Sequence, residues 1–118
     1  MIAFDTDVLT EILLGEPTFV ARAAIIPPHE QAVPVVVIEE IMRGRLQVIR
    51  QAEADQAKVS LPQAYNLFER TLRDIQQMTV LPYTPPADAL SRQGRHQRMR
   101  VGTHDLRIAA ICVTHVAT

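Results

Sequence analysis

Three short apolar runs, each followed by a helical pattern, constrain the fold of this chain more than any other feature. The runs are MIAF at residues 1–4, AVPVVVI at 32–38 and TVLPY at 79–83. A strand that is buried on both faces needs such a run, because neither face meets water. Strands that alternate with helices form a parallel sheet with right-handed connections. The sequence therefore predicts an α/β fold, with a parallel β-sheet sandwiched by α-helices.

The helices between these runs are predicted from apolar periodicity and from Gly and Pro stop signals. In chain order they are expected over 6–15 and 17–26, from Glu39, over 60–78, from about Ala87, and after Thr103. The helix over 60–78 has the clearest pattern, with an apolar stripe at Tyr65, Phe68 and Leu72. That stripe is interpreted either as core or as the face of a homodimer.

Size and composition indicate one ordinary globular domain, which spans residues 1–118. Apolar residues make up 47% of the chain, and no apolar run approaches the roughly 20 residues of a membrane span. An acid at the fifth position argues against a signal peptide. A single cysteine, Cys112, fits a reducing compartment, so the expected location is the cytoplasm, away from membranes.

The charges are segregated although the net charge is only −1. Residues 1–16 contain four acids and no Lys or Arg, whereas residues 91–100, SRQGRHQRMR, contain four arginines and no acid. The planar guanidinium group of Arg binds phosphate in a bidentate manner, so the arginine cluster is a candidate phosphate contact. The alternative interpretation is a solvated helix face.

Acidic residues follow two of the predicted strands and also open the last helix. Asp5 and Asp7 come after the first strand, Glu39 and Glu40 after the second, and Asp105 in the first turn of the last helix. Ligands of open parallel sheets bind beyond the carboxyl ends of the strands, where these acids are expected to meet. Each acid alone is also explained as a helix cap or a favourable charge at a helix N-terminus, at roughly 0.3–1 kcal/mol.

Convergence of several carboxylates indicates more than capping, since they repel each other unless a cation joins them. Oxygen ligands with bound water are what Mg²⁺ prefers, and Mn²⁺ is similar. Such ions activate water and bind the oxygens of a transferring phosphoryl group. The residues alone therefore support the hypothesis of a metal-dependent phosphodiesterase.

Three segments together resemble the PIN-domain ribonucleases of the VapC toxin type. They are MIAFDTDVLTEILLG, VPVVVIEEIMRGRL and VGTHDLRIAAICVTHVAT, in that order and spacing, and the resemblance covers essentially the whole chain. It implies a PIN-like fold and Mg²⁺- or Mn²⁺-dependent endonucleolytic cleavage of RNA. It also implies a homodimer and a small antitoxin protein that inhibits the nuclease.

The resemblance assigns the site residue by residue. The metal-binding and catalytic acids would be Asp5, Glu40, which begins the E-x-x-x-G pattern, and Asp105. Thr6 resembles the family's hydroxyl beside the first acid, and Asp7 stands where Asn or Ser is common. The expected contacts to RNA phosphates are Arg43, Arg45, Arg95, Arg98 and Arg100.

The family pattern usually continues beyond the last helix into a further strand and a fourth acid. This sequence stops at Thr118, so the resemblance implies a PIN-like domain shortened at its C-terminus, either by truncation or as a short homologue. Three acids can still hold one Mg²⁺, because this ion keeps several of its waters.

Two alternatives differ from a nuclease. One is a PIN-like module that binds RNA or an antitoxin without cleaving. The other is a phosphatase with Asp5 as nucleophile and Asp7 as general acid, but such enzymes need a downstream lysine, and Lys58 is the only lysine. His104, next to Asp105, is interpreted as a surface residue.

Overall fold

The computed structural model describes residues 2–56, 58–96 and 102–117. In chain order its elements are β1 (Ile2–Ala3), α1 (Thr6–Leu13), α2 (Pro17–Ile25), a 3₁₀ turn (Pro28–Glu30), β2 (Gln31–Pro34), α3 (Val35–Glu53), α4 (Leu61–Gln76), β3 (Val80–Leu81), α5 (Pro85–His96) and α6 (Thr103–Ala117). Within these ranges, no helix combines the length and the apolar character needed to cross a membrane.

The three strands form one small parallel sheet with β2 in the centre. On one side Ile2 pairs with Gln31 and Ala3 with Ala32; on the other, Val33 pairs with Val80 and Pro34 with Leu81. The predicted parallel α/β arrangement is confirmed, although each strand is much shorter than its apolar run. Most of the described chain is helical, with α3 packed along α4 and α5 packed along α6.

The second predicted strand is wrong in its extent, because the chain turns helical within the run 32–38. Strand β2 ends at Pro34, and α3 begins at Val35 rather than at Glu39. Proline has no N–H with which to continue a ladder, and its fixed φ suits the residue before a helix. Val36 and Val37 are 5% and 0% exposed, so burial outweighs the β-propensity of these residues.

Helix α5 also begins earlier than predicted, at Pro85 instead of about Ala87. The Thr84 hydroxyl accepts a hydrogen bond from the Ala87 N–H at 3.3 Å, and the Thr84 carbonyl accepts one from the Asp88 N–H. Proline is tolerated in the first helical turn, where its missing N–H has no partner in any case. The Pro-Pro pair therefore opens this helix instead of forming a separate turn.

Two apolar clusters hold the helices on the sheet, and Ile108 of α6 packs against both. The first joins β2, α3, β3, α5 and α6, and its buried members are Ala32, Val36, Leu81, Ala87, Ala110 and Ile111. The second joins α1, β2 and α3, and its buried members are Leu9, Val33, Val37 and Ile41. Because the second cluster contains Leu9, it fixes the start of α1 against α3.

The apolar stripe of α4 is divided between core and surface. Phe68 packs against a third cluster, formed by Ile49, Ala52 and Ala64 between α3 and α4. Tyr65 and Leu72 are instead 52% and 39% exposed. The stripe is therefore not wholly core, and its outer part is an exposed apolar face.

Replacing Leu9 by Ala is expected to lower the free energy of unfolding by about 2–5 kcal/mol, since the side chain is 1% exposed and its removal leaves a cavity. The matched control is Leu14→Ala, because Leu14 is the C-cap residue of the same helix and is 63% exposed. Urea denaturation followed by circular dichroism measures both. Equal losses in the two variants would contradict this account of the core.

Candidate functional site

One cleft of about 240 Å³ is lined by the predicted acids. Its lining residues are Asp5, Thr6, Asp7, Glu40, Asp105, Ile108 and Ala109. They come from three separate places in the chain, namely the start of α1, the second turn of α3 and the first half of α6. The structure thus brings together the four acids and the one hydroxyl residue that the sequence assigned to the site.

Asp5 is placed by the end of β1 and serves as the N-cap of α1. The Phe4 N–H donates to the Ala32 carbonyl at 2.9 Å, which extends the pairing with β2 by one bond. The Val8 N–H then donates to Oδ1 of Asp5 at 2.9 Å. The capping interpretation is therefore correct for Asp5. It does not exclude a second role, because a carboxylate has about four acceptor positions.

Glu40 is the most enclosed acid of the cleft, with a side chain that is 27% exposed. Its Oε2 accepts a hydrogen bond from the Thr6 hydroxyl at 3.2 Å, which joins α3 to the start of α1. Its Oε1 is buried and has no hydrogen-bond partner among the residues that the structure describes. A buried acceptor without a partner is unfavourable by about 1–3 kcal/mol, so this oxygen favours a donor or a cation.

Glu39 lies outside the cleft although it is next to Glu40. Its Oε2 accepts from the Arg43 guanidinium at 2.7 Å, in an exposed i,i+4 pair. Adjacent residues of a helix point about 100° apart, so the two glutamates face different surroundings. The E-x-x-x-G pattern selected the glutamate that lines the cleft.

His104 is a residue whose position the sequence interpretation missed. Its side chain is 30% exposed, with Nε2 at 3.6 Å from Oε1 of Glu39 and Nδ1 at 3.8 Å from Oε1 of Glu40. It therefore lies between α6 and α3 instead of on the open surface. No local pattern indicates this, because the contact depends on how the two helices pack.

The donor set of the cleft suits a hard cation chemically, since all its polar side chains offer oxygen. The unpartnered Oε1 of Glu40 supports the same match. In the described part of the chain, however, no three His, Cys, Asp or Glu side chains are grouped closely enough to hold a metal ion. Asp5, Glu40 and Asp105 thus share a cleft without being drawn into a compact ligand set.

Arg43 and Arg45, two of the predicted arginines, do not line the acidic cleft. Arg43 is paired with Glu39, and the Arg45 Nε–H donates to the Thr71 hydroxyl at 2.9 Å. Burial, together with the neighbouring charge of Arg70, lowers the pKa of Arg45. These contacts give both side chains a partner within the fold.

Arg95 has a more open setting on the last turn of α5. With Arg92 and His96 it lines a second cleft, of about 340 Å³. Arg92 also donates to the Asp88 carboxylate at 2.9 Å. The other two predicted arginines, Arg98 and Arg100, lie outside the described residues.

Comparison with known proteins identifies the fold. No protein-family model and no curated protein matches the sequence. The chain is similar to a toxin–antitoxin complex from Klebsiella pneumoniae, with a TM-score of 0.71 and 18% identity over 98% of this chain and 80% of that one. For FitAcB from Neisseria gonorrhoeae the TM-score is 0.73 and the identity is 19%, over 98% of this chain and 83% of that one. For VapBC2 from Rickettsia felis, bound to a promoter DNA fragment, the TM-score is 0.63 and the identity is 11%, over 96% of this chain and 80% of that one. At this identity the similarity shows a shared fold.

The cap formed by Asp5 gives a test that is independent of activity. Asp5→Ala is expected to lower the free energy of unfolding by about 1 kcal/mol, because the Val8 N–H loses its acceptor. Asp5→Asn is expected to change it by less than about 0.5 kcal/mol, since Asn is an equally good N-cap. Chemical denaturation without metal measures both. Equal losses in the two variants would contradict the capping role.

Proposed function

We propose that this protein is a metal-dependent endoribonuclease, a single PIN-like domain whose sheet is covered by helices on both faces. The observation that carries the proposal is that Asp5, Glu40 and Asp105, from three distant segments, line one cleft. The buried Oε1 of Glu40, which has no hydrogen-bond partner among the described residues, adds to it. The shared fold with chains from toxin–antitoxin complexes supports the same assignment.

In this proposal Asp5, Glu40 and Asp105 hold Mg²⁺ or Mn²⁺. When bound, such an ion supplies a water of lowered pKa and neutralises charge on a phosphate. The Thr6 hydroxyl keeps the Glu40 carboxylate in place, and the hydrogen bond from the Val8 N–H does the same for the Asp5 carboxylate. Helices α1 and α6 both begin at the cleft, and their N-terminal dipoles favour a phosphodiester there.

The arginines are proposed to bind the RNA backbone, and Arg95 is the best supported of them. It lines an open basic cleft beside Arg92 and His96, whereas Arg43 and Arg45 already have partners. Arg98 and Arg100 follow Arg95 closely in the sequence and are proposed for the same role. Such contacts set affinity rather than sequence choice, so binding should weaken as salt increases.

We further propose that the protein is the toxin of a VapBC-type pair, acts in the cytoplasm and is inhibited by a small antitoxin protein. The support for this is that the similar structures are toxin–antitoxin complexes, and we extend that role to this chain. A homodimer through the exposed apolar face of α4, at Tyr65 and Leu72, is part of the same proposal. An exposed apolar face of this kind marks interaction sites on many soluble proteins.

A second candidate is a PIN-like module that binds RNA or an antitoxin without cleaving. One observation favours it: no compact group of metal-binding side chains occurs among the described residues. The following experiments separate it from the nuclease.

The purified protein is expected to cleave a pool of labelled structured RNAs with Mg²⁺ or Mn²⁺ and to stop in EDTA. Asp5→Asn, Glu40→Gln and Asp105→Asn should each lower the rate about 100-fold or more, because each removes a negative charge that holds the metal ion, and the metal ion stabilises the transition state. Denaturing gel electrophoresis measures the cleavage. The matched control is Asp74→Asn, an exposed acid on α4, which should cleave normally. RNA binding without cleavage by the unmodified protein would favour the second candidate.

Mn²⁺ binding is expected to stabilise the folded protein, since the ion binds only the native arrangement of acids. At about 100 times the dissociation constant the gain is about 2.7 kcal/mol, measured as a rise in the melting temperature. Asp5→Asn and Asp105→Asn should lose this rise, while Asp74→Asn should keep it. If Mn²⁺ does not change the melting temperature of the unmodified protein, the metal site is refuted.

A further inference from the structure

His104 connects the helix that carries Asp105 to the helix that carries Glu40. Its imidazole lies between two carboxylates of α3, with Nε2 at 3.6 Å from Glu39 and Nδ1 at 3.8 Å from Glu40. With 30% of its side chain exposed, His104 is partly buried at this position. Because His104 and Asp105 are consecutive, a contact from His104 to α3 also restrains the start of α6 relative to Glu40.

The two oxygens of Glu40 differ in what they contact. Oε2 accepts a hydrogen bond from Thr6, while Oε1 is buried and has no hydrogen-bond partner in the described part of the chain. The Nδ1 atom of His104 faces Oε1 at a distance too long for a hydrogen bond but within the range of an ion pair. A protonated Nδ1 that approached to hydrogen-bond distance would give the buried oxygen a donor.

We propose that His104 is a positioning residue for the metal site, holding Oε1 of Glu40 through Nδ1 while Thr6 holds Oε2. The inference rests on the proposed function, because it deepens the role of Glu40 as a metal ligand. A carboxylate has about four acceptor positions, so the hydrogen bond from Thr6 and the contact with His104 leave the group able to bind a cation. Partners behind metal-binding side chains orient them, and loss of such a partner typically weakens metal affinity about 10–100-fold.

The two ring nitrogens face different glutamates, which allows a specific test. The amide nitrogen of Asn takes the place of Nδ1, near Glu40, and that of Gln takes the place of Nε2, near Glu39. The dissociation constant for Mn²⁺, measured by electron paramagnetic resonance at constant pH, should rise about 10–100-fold in His104→Ala and in His104→Gln. In His104→Asn it should stay within about threefold of the unmodified protein. His29→Ala, an exposed histidine on the 3₁₀ turn, is the matched control.

A second measurement needs neither metal nor activity. Unfolding equilibria in EDTA are compared for His104→Ala, Glu40→Gln and the double variant. A direct contact predicts that the double variant departs from the product of the two single effects by about twofold or more. The cycle Glu39→Gln with His104→Ala reports how much of the coupling belongs to the other glutamate.

These outcomes separate the inference from the proposed function. An unmodified protein that binds no Mn²⁺ refutes the metal site, and the positioning role is overturned with it. If the unmodified protein binds Mn²⁺ while His104→Ala binds it equally well, the metal site is supported and the positioning role is overturned. The positioning role is likewise overturned if Asn rescues no better than Gln, or if the cycle with Glu40 is additive.

Discussion

The parallel pairing of β2 with both other strands is the constraint on which the site depends. The end of β1 is fixed beside β2 by two ladder pairs and by the bond from Phe4 to Ala32. Helix α3 leaves β2 directly at Val35, without an intervening loop. Asp5 therefore lies two residues beyond the end of β1, and Glu40 lies six residues beyond the end of β2. The two strands are hydrogen-bonded neighbours, so they fix both acids relative to each other. A site built on such short rigid connections keeps its geometry better than one built on loops.

Much of the fold was predictable from the sequence, since the periodicity and the stop signals of the helices are strong. The boundary between β2 and α3 was not, because the run after Pro34 is rich in β-branched residues that usually favour strands. In the structure, Val36 and Val37 face two different apolar clusters, and a helix presents both of them to the core. Tertiary packing decided this element against its local propensity.

That these acids line one cleft was predictable, because helix starts and strand ends of a parallel sheet meet at one edge. The surroundings of the basic residues were not predictable in the same way. Whether Arg45 meets Thr71, or His104 meets Glu40, depends on how one helix lies against another. Sequence periodicity reports which face of a helix is apolar, but it carries no information about which polar residues of two packed helices come opposite each other.

Strand β1 has one further consequence, which concerns the length of the chain near the site. Phe4 alone separates the last ladder residue, Ala3, from Asp5, and its N–H is bonded to β2. Successive side chains of an extended chain point to opposite faces. One inserted residue would therefore turn the Asp5 side chain away from the cleft, although no residue had been replaced. Phe4 packs against the second apolar cluster, so this part of the chain should tolerate apolar replacements of Phe4 but no change in residue number between Ala3 and Asp5.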